Sequence, residues 1–130
     1  MQRDDVVKYW IETSNNDLPV MESMFKNGHY VWSLYIGHLV LEKTLKAYFA
    51  KNKEAGIPHI HHLLKLAKMV ELELNEDQEN FLLEVTTFNI STRYPDYKES
   101  FRKKATRTYT KGHIEKIKEF RQWLIKKIEK

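Results

Sequence analysis

The chain has 130 residues, a formal net charge of +4 and no cysteine. That length suits one domain with a real core and no staples, and the lack of cysteine excludes disulfides and thiolate metal sites. No apolar run reaches membrane-spanning length, and Asp4-Asp5 has the wrong charge for a signal-peptide start, so residues 1–130 read as a single soluble, cytoplasmic domain.

Asp4 and Asp5 suit the N-terminus of a first helix, where carboxylates meet the positive end of the dipole. Val6, Tyr9, Trp10, Thr13, Met21, Met24 and Phe25 then keep roughly helical spacing. Pro19 interrupts this pattern and predicts a kink or short break near residues 16–18. Asn27-Gly28 is a turn signal that ends the helix.

The next stretch, from His29 to Lys53, is the one around which the chain is organised. Val31, Leu34, Tyr35, Leu45 and Phe49 fall on one side of a helical projection, while Trp32, Ile36, Leu39, Val40 and Ala47 cover much of the rest. A helix apolar nearly all round is a central one. His38, Glu42 and Lys46 follow one another at single-turn intervals on its apolar side. An unpaired carboxylate there is costly, so Glu42 requires a partner.

Ala55–Pro58 ends this helix, and Leu63, Leu64, Ala67 and Val70 mark a short one to about Leu72. Asn75 with Gln78 resembles a capping box, opening a fourth helix with Phe81, Leu82, Val85 and Phe88 inward. Residues 89–110 show few regular apolar spacings and contain Pro95, which predicts a long loop with one helical turn. The last helix is expected over about 111–128, with Ile114, Ile117, Leu124 and Ile128 buried. The fold class is therefore all-α, an up-and-down bundle of four to five helices with a long loop before the last.

Four features carry candidate chemistry. His59, His61 and His62 lack the i, i+4 spacing of helical metal ligands, so they read as helix-entry histidines that cap or hydrogen-bond, and no metal or cofactor is expected. His38 and Glu42 do share one face, as an acid–base couple or a satisfied polar pair. The string Arg93-Tyr94-Pro95-Asp96-Tyr97 holds Arg93 on a stiff turn, either as a structural clamp or as a phosphate-binding fork. Glu42 is its leading partner within the chain, and the two are expected at salt-bridge distance. Residues 101–130 carry eleven Lys or Arg against three Glu, a segment that either attracts phosphates or forms a solvated lysine face.

Several strings taken together resemble the HEPN domain, a small helical domain often encoded beside a minimal nucleotidyltransferase. They are Trp10 with Asp17-Leu18, the turn Asn27-Gly28-His29-Tyr30, the run from Val40 to Ala47 (VLEKTLKA), Pro58 with His61 and Leu63, and Thr92-Arg93-Tyr94-Pro95-Asp96. The resemblance implies a helical bundle, commonly a homodimer, associated with nucleotides or RNA and paired with a small nucleotidyltransferase in a toxin–antitoxin-like arrangement. The polar or ligand cleft it implies comprises Asp17, His38, Glu42, Lys43, His61, Arg93, Tyr94 and Asp96. Many members are metal-independent ribonucleases with an arginine, four to six residues, then a histidine. Arg107 and His113 match that spacing, although Thr108 follows the arginine and Gly112 precedes the histidine. An endoribonuclease using this pair, or an interaction module without a ligand, are the alternatives.

Overall fold

The computed structural model describes residues 2–130. Six helices follow in order: α1 (Arg3–Lys26), α2 (Tyr30–Asn52), α3 (Leu63–Met69), α4 (Glu76–Arg93), α5 (Pro95–Lys104) and α6 (Arg107–Glu129). Among the described residues, no helix is long and apolar enough to cross a membrane.

Helix α2 packs against every other helix, as its all-round apolar pattern requires. Thirteen of its 23 residues are buried, and Leu34, Leu41 and Leu45 lie at its fully enclosed centre. Burying a leucine of this kind contributes roughly 1.5–3 kcal/mol relative to leaving it in water. The turn into α2 is built by Gly28, whose φ of +79° is the left-handed conformation that glycine adopts without penalty. The amides of Gly28 and His29 close back on the carbonyls of Phe25 and Met24, which satisfies the end of α1 and starts the antiparallel hairpin.

Three expectations need correction. Helix α1 runs through Pro19 without a break. Pro19 and Asn15, whose carbonyl loses its helical donor, both lie on the exposed side, where water serves instead. The region 89–110 is not a long loop, because α4 continues to Arg93, α5 fills Pro95–Lys104, and α6 begins at Arg107. Pro95 occupies the first turn of α5, where a missing N–H costs nothing. The bundle accordingly has six helices rather than four or five. The capping box at Asn75 and Gln78 is present, with both reciprocal bonds formed.

Gly37 permits a close approach of α6 and α1 side chains to α2. A Cβ at this position would stand 2.6 Å from Ile117 Cδ1 on α6 and 3.3 Å from Met21 Sδ on α1. Gly37→Val is therefore expected to destabilise the protein by roughly 1–3 kcal/mol through overpacking. Gly37→Ala should cost less, because the gain in helix propensity of about 1 kcal/mol offsets part of the clash. Equilibrium denaturation of both variants measures the difference, and a Val variant as stable as wild type would contradict the close approach.

Candidate functional site

Glu42 is buried on α2 and has its partners close at hand. Lys46, one turn along the same helix, places Nζ 3.0 Å from Oε2. His61 Nδ1 lies 2.8 Å from Oε1, and His38 Nε2 approaches the same oxygen to 3.8 Å. The His38 Nε2 atom is nearer to the His61 carbonyl, at 2.9 Å. The segment between α2 and α3 is thus tied to α2 twice, through the backbone and the ring of one residue. His62 then caps α3 by accepting from the Lys65 amide at 3.3 Å, and Thr86 on α4 accepts from the Leu63 amide at 3.1 Å. The helix-entry reading of His61 and His62 therefore holds.

His38 is fully enclosed, and its Nδ1 has no hydrogen-bond partner. Burial holds its pKa below the ordinary 6.5, against the bond to the His61 carbonyl and the nearby Glu42 charge; His61 and Arg93 add small downward pushes. A neutral ring that donates through Nε2 fits this geometry, leaving Nδ1 as a bare acceptor rather than a stranded charge.

The expected Glu42–Arg93 pair is absent. Both Glu42 oxygens are occupied by Lys46 and His61, and a partner four residues along the same helix needs no tertiary closure. Arg93 is exposed instead at the α4–α5 corner. Its Nε donates to the Asn89 carbonyl at 3.4 Å, and its guanidinium sits 5.7 Å from the centre of the Tyr94 ring. Asp96 lies in the first turn of α5. Asp17 and Lys43 meet each other at 2.6 Å between α1 and α2. Of the expected cleft, the structure brings together His38, Glu42 and His61 in one cluster, Asp17 with Lys43 in a second, and Arg93 with Tyr94 in a third. Lys46 belongs to the first cluster, where its ammonium also lies 5.4 Å from the Trp10 ring centre.

Arg107 and His113 are not brought together within the chain. Six residues apart on α6, they project about 120° from one another. Arg107 stacks 5.4 Å from the Phe25 ring centre on α1. His113 faces α4, with Nε2 3.0 Å from Glu84 Oε1 and Nδ1 2.9 Å from the Tyr109 carbonyl. The Nε2 contact is close but poorly aligned for a hydrogen bond. Tyr109 donates to Glu84 Oε2 at 2.6 Å, and its ring stacks on His113 at 4.0 Å. Burial pushes the Glu84 carboxyl upward, but the contacts with Tyr109 and His113 outweigh it and hold the group below its usual range. Burial and the Glu84 bond raise the Tyr109 phenol well above its ordinary value. Sequence reasoning missed this cluster, because 25 residues separate Glu84 from Tyr109 and only the folded chain joins them.

A second buried cation was also missed. Arg121 on α6 donates through Nε to Ser14 Oγ at 2.9 Å and bonds the Asn15 side chain. Ser14 in turn meets Thr44 Oγ1 at 2.9 Å. These are neutral partners, and burial depresses the guanidinium pKa.

The described residues thus form a small all-α domain of six helices whose central helix buries a carboxylate bonded by the histidine of the next segment. The HEPN domain model matches residues 7–128, and the chain belongs to the HEPN family. The crystal structure of TT1696 from Thermus thermophilus shares the fold at a TM-score of 0.77 and 18% sequence identity, covering 93% of this chain and 97% of that one. No curated protein matches the chain.

Two outcomes test this site. The lowered His38 pKa means that the unfolded chain takes up a proton first as pH falls below 6.5. Unfolding free energy should therefore decline as pH drops through that value. His38→Gln, which keeps a donor for the His61 carbonyl, should remove this step from a series of denaturation curves. Glu42→Ala strands the buried Lys46 and is expected to cost roughly 3–5 kcal/mol. A double-mutant cycle should show strong coupling between Glu42 and Lys46, and additivity between Glu42 and Arg93.

Proposed function

We propose that this HEPN chain is a nucleotide- or RNA-associated module, acting as a homodimer beside a small nucleotidyltransferase in a toxin–antitoxin-like pair. The observation that supports the reading best is Arg93. Among the described residues it has no carboxylate within salt-bridge distance, and only its Nε is engaged. The Asn89 carbonyl fixes the plane of the guanidinium, leaving the two terminal nitrogens for bidentate contact with a phosphate. Tyr94 and Tyr97 are both more than half exposed beside it, at 51% and 56%, and offer ring faces on which a base stacks. Phosphate fork and aromatic face are the two elements of base-tolerant recognition.

Homodimer formation is supported by Trp32, a large aromatic residue that remains 50% exposed on the central helix α2. Its ring stands edge-on to Tyr35 at 6.1 Å, so the pair presents an aromatic surface suited to a second copy.

Binding of a single-stranded RNA oligonucleotide and of AMP, measured at several salt concentrations, tests the reading. Arg93→Ala should weaken binding by roughly 1.5–3 kcal/mol, the range of a hydrogen bond to a charged group. Lys68→Ala, an equal loss of charge on α3, should change little. The affinity for RNA should fall steeply with salt. Binding that ignores both Arg93 and salt would remove the phosphate-fork reading.

A further inference from the structure

Helices α4 and α6 both pack on α2 and meet one another only through side chains, Glu84 with Tyr109 and His113 among them. Between them lies a cleft of about 700 Å³, a size typical of small-molecule sites. Its apolar wall is aromatic: Phe81 and Phe120 have ring centres 6.4 Å apart, and Phe120 and Trp123 are 5.3 Å apart. Its charged lining consists of Asp77, Glu84 and Glu119 against the single Lys116. Asp77 and Glu119 take part in no ion pair among the described residues. Glu76 and Glu79 flank Asp77 in the first turn of α4 and add to the negative field at that end, while Lys127 stands against Trp123 at the other.

That field repels phosphates, so this cleft is unsuited to the nucleotide or RNA proposed at Arg93. It favours a cation, and the aromatic wall favours one that carries hydrocarbon, since methylenes pack on the rings and ammonium groups are drawn to their faces. The carboxylates are also spread out. Asp77 and Glu84 are seven residues apart on α4, about 10 Å along the helix, and Glu119 stands opposite on α6. A compact monocation engages one of them. Glu84 is already engaged by Tyr109 and His113, so a linear chain of ammonium groups separated by methylene runs spans the unpaired Asp77 and Glu119 while its hydrocarbon lies along Phe81, Phe120 and Trp123. We infer that the α4–α6 cleft binds an aliphatic polyamine.

Isothermal titration of the whole chain with spermidine tests this, with magnesium ion and an arginine-rich peptide as comparison probes. Saturable 1:1 binding of spermidine, tighter than that of magnesium, is expected. The double change Asp77→Asn with Glu119→Gln alters only exposed groups and should leave the fold intact while weakening spermidine by roughly tenfold or more. Trp123→Leu should weaken it as well, and Glu129→Gln, outside the cleft, should not. Absent spermidine binding, or binding unchanged in the double variant, overturns the proposal. Magnesium binding as tightly as spermidine reduces the cleft to diffuse charge attraction and also overturns it. Binding of the peptide alone assigns the cleft to a protein partner instead. Arg93→Ala should leave spermidine binding unchanged, so the two sites fail or stand separately.

Discussion

The buried carboxylate of Glu42 is the constraint on which the rest of the architecture depends. A helix that touches every other element must present apolar surface nearly all round, and a charge within it is tolerated only when fully paired. Lys46 neutralises it from the same helix, and His61 reaches it from the following segment. The second contact positions the chain, because His61 is held by its ring and, through His38, by its carbonyl. With His61 fixed, His62 caps α3, and α3 is joined to α4 through the Leu63–Thr86 bond. Net stabilisation from such a cluster is small once desolvation is counted. Its effect is on register: a one-residue shift of the 53–62 segment would put Ile60 or His62 in the place of His61, losing either the acid's histidine or the cap that His62 makes on α3.

Much of this is legible in the sequence. The requirement for a partner follows from Glu42 lying on an apolar stripe, and the central position of α2 follows from its all-round pattern. Assigning the partner to Arg93 fails because it favours a long-range pair over Lys46, which the i, i+4 rule already places beside Glu42. Helix α5 is illegible for a different reason. It buries only Phe101, so it carries no apolar stripe, and Pro95 reads equally as a breaker or as a first-turn residue. The Glu84–Tyr109–His113 cluster and the buried Arg121 are products of tertiary closure. Glu84 and Tyr109 lie 25 residues apart, Ser14 and Arg121 107 apart, and no local pattern marks them.

Helix α6 illustrates how one element serves opposite electrostatic surroundings. Its residue Arg121 lies buried against hydroxyl and amide groups on α1, its residue His113 contacts the Glu84 carboxylate on α4, and its lysines are exposed or half-buried. The basic excess noted in the sequence is thus not one continuous surface. Part of it is met by partners at the surface: Lys118 pairs with Glu22, Lys104 lies 4.0 Å from Glu84, and Lys127 sits 5.0 Å from the Trp123 ring centre. Counting charges along a segment overstates the field it presents, because a cation beside a carboxylate is offset by it.

The same reasoning sharpens the meaning of Arg93. Had Glu42 required it, the arginine would have been drawn into the core as a clamp, and the α4–α5 corner would have been structural. Because Lys46 supplies the counter-charge from one turn away, Arg93 is left at the surface with only its Nε bonded. A guanidinium held flat by a backbone carbonyl loses little further freedom on meeting an anion. Local neutralisation in the core is therefore what leaves Arg93 at the surface, and it links the packing of α2 to the exposed charge at the α4–α5 corner. The acidic cleft between α4 and α6 completes the separation. One end of α4 carries Arg93 and the other Glu76, Asp77 and Glu79, so the helix is polarised in charge along its length, in the sense its dipole favours.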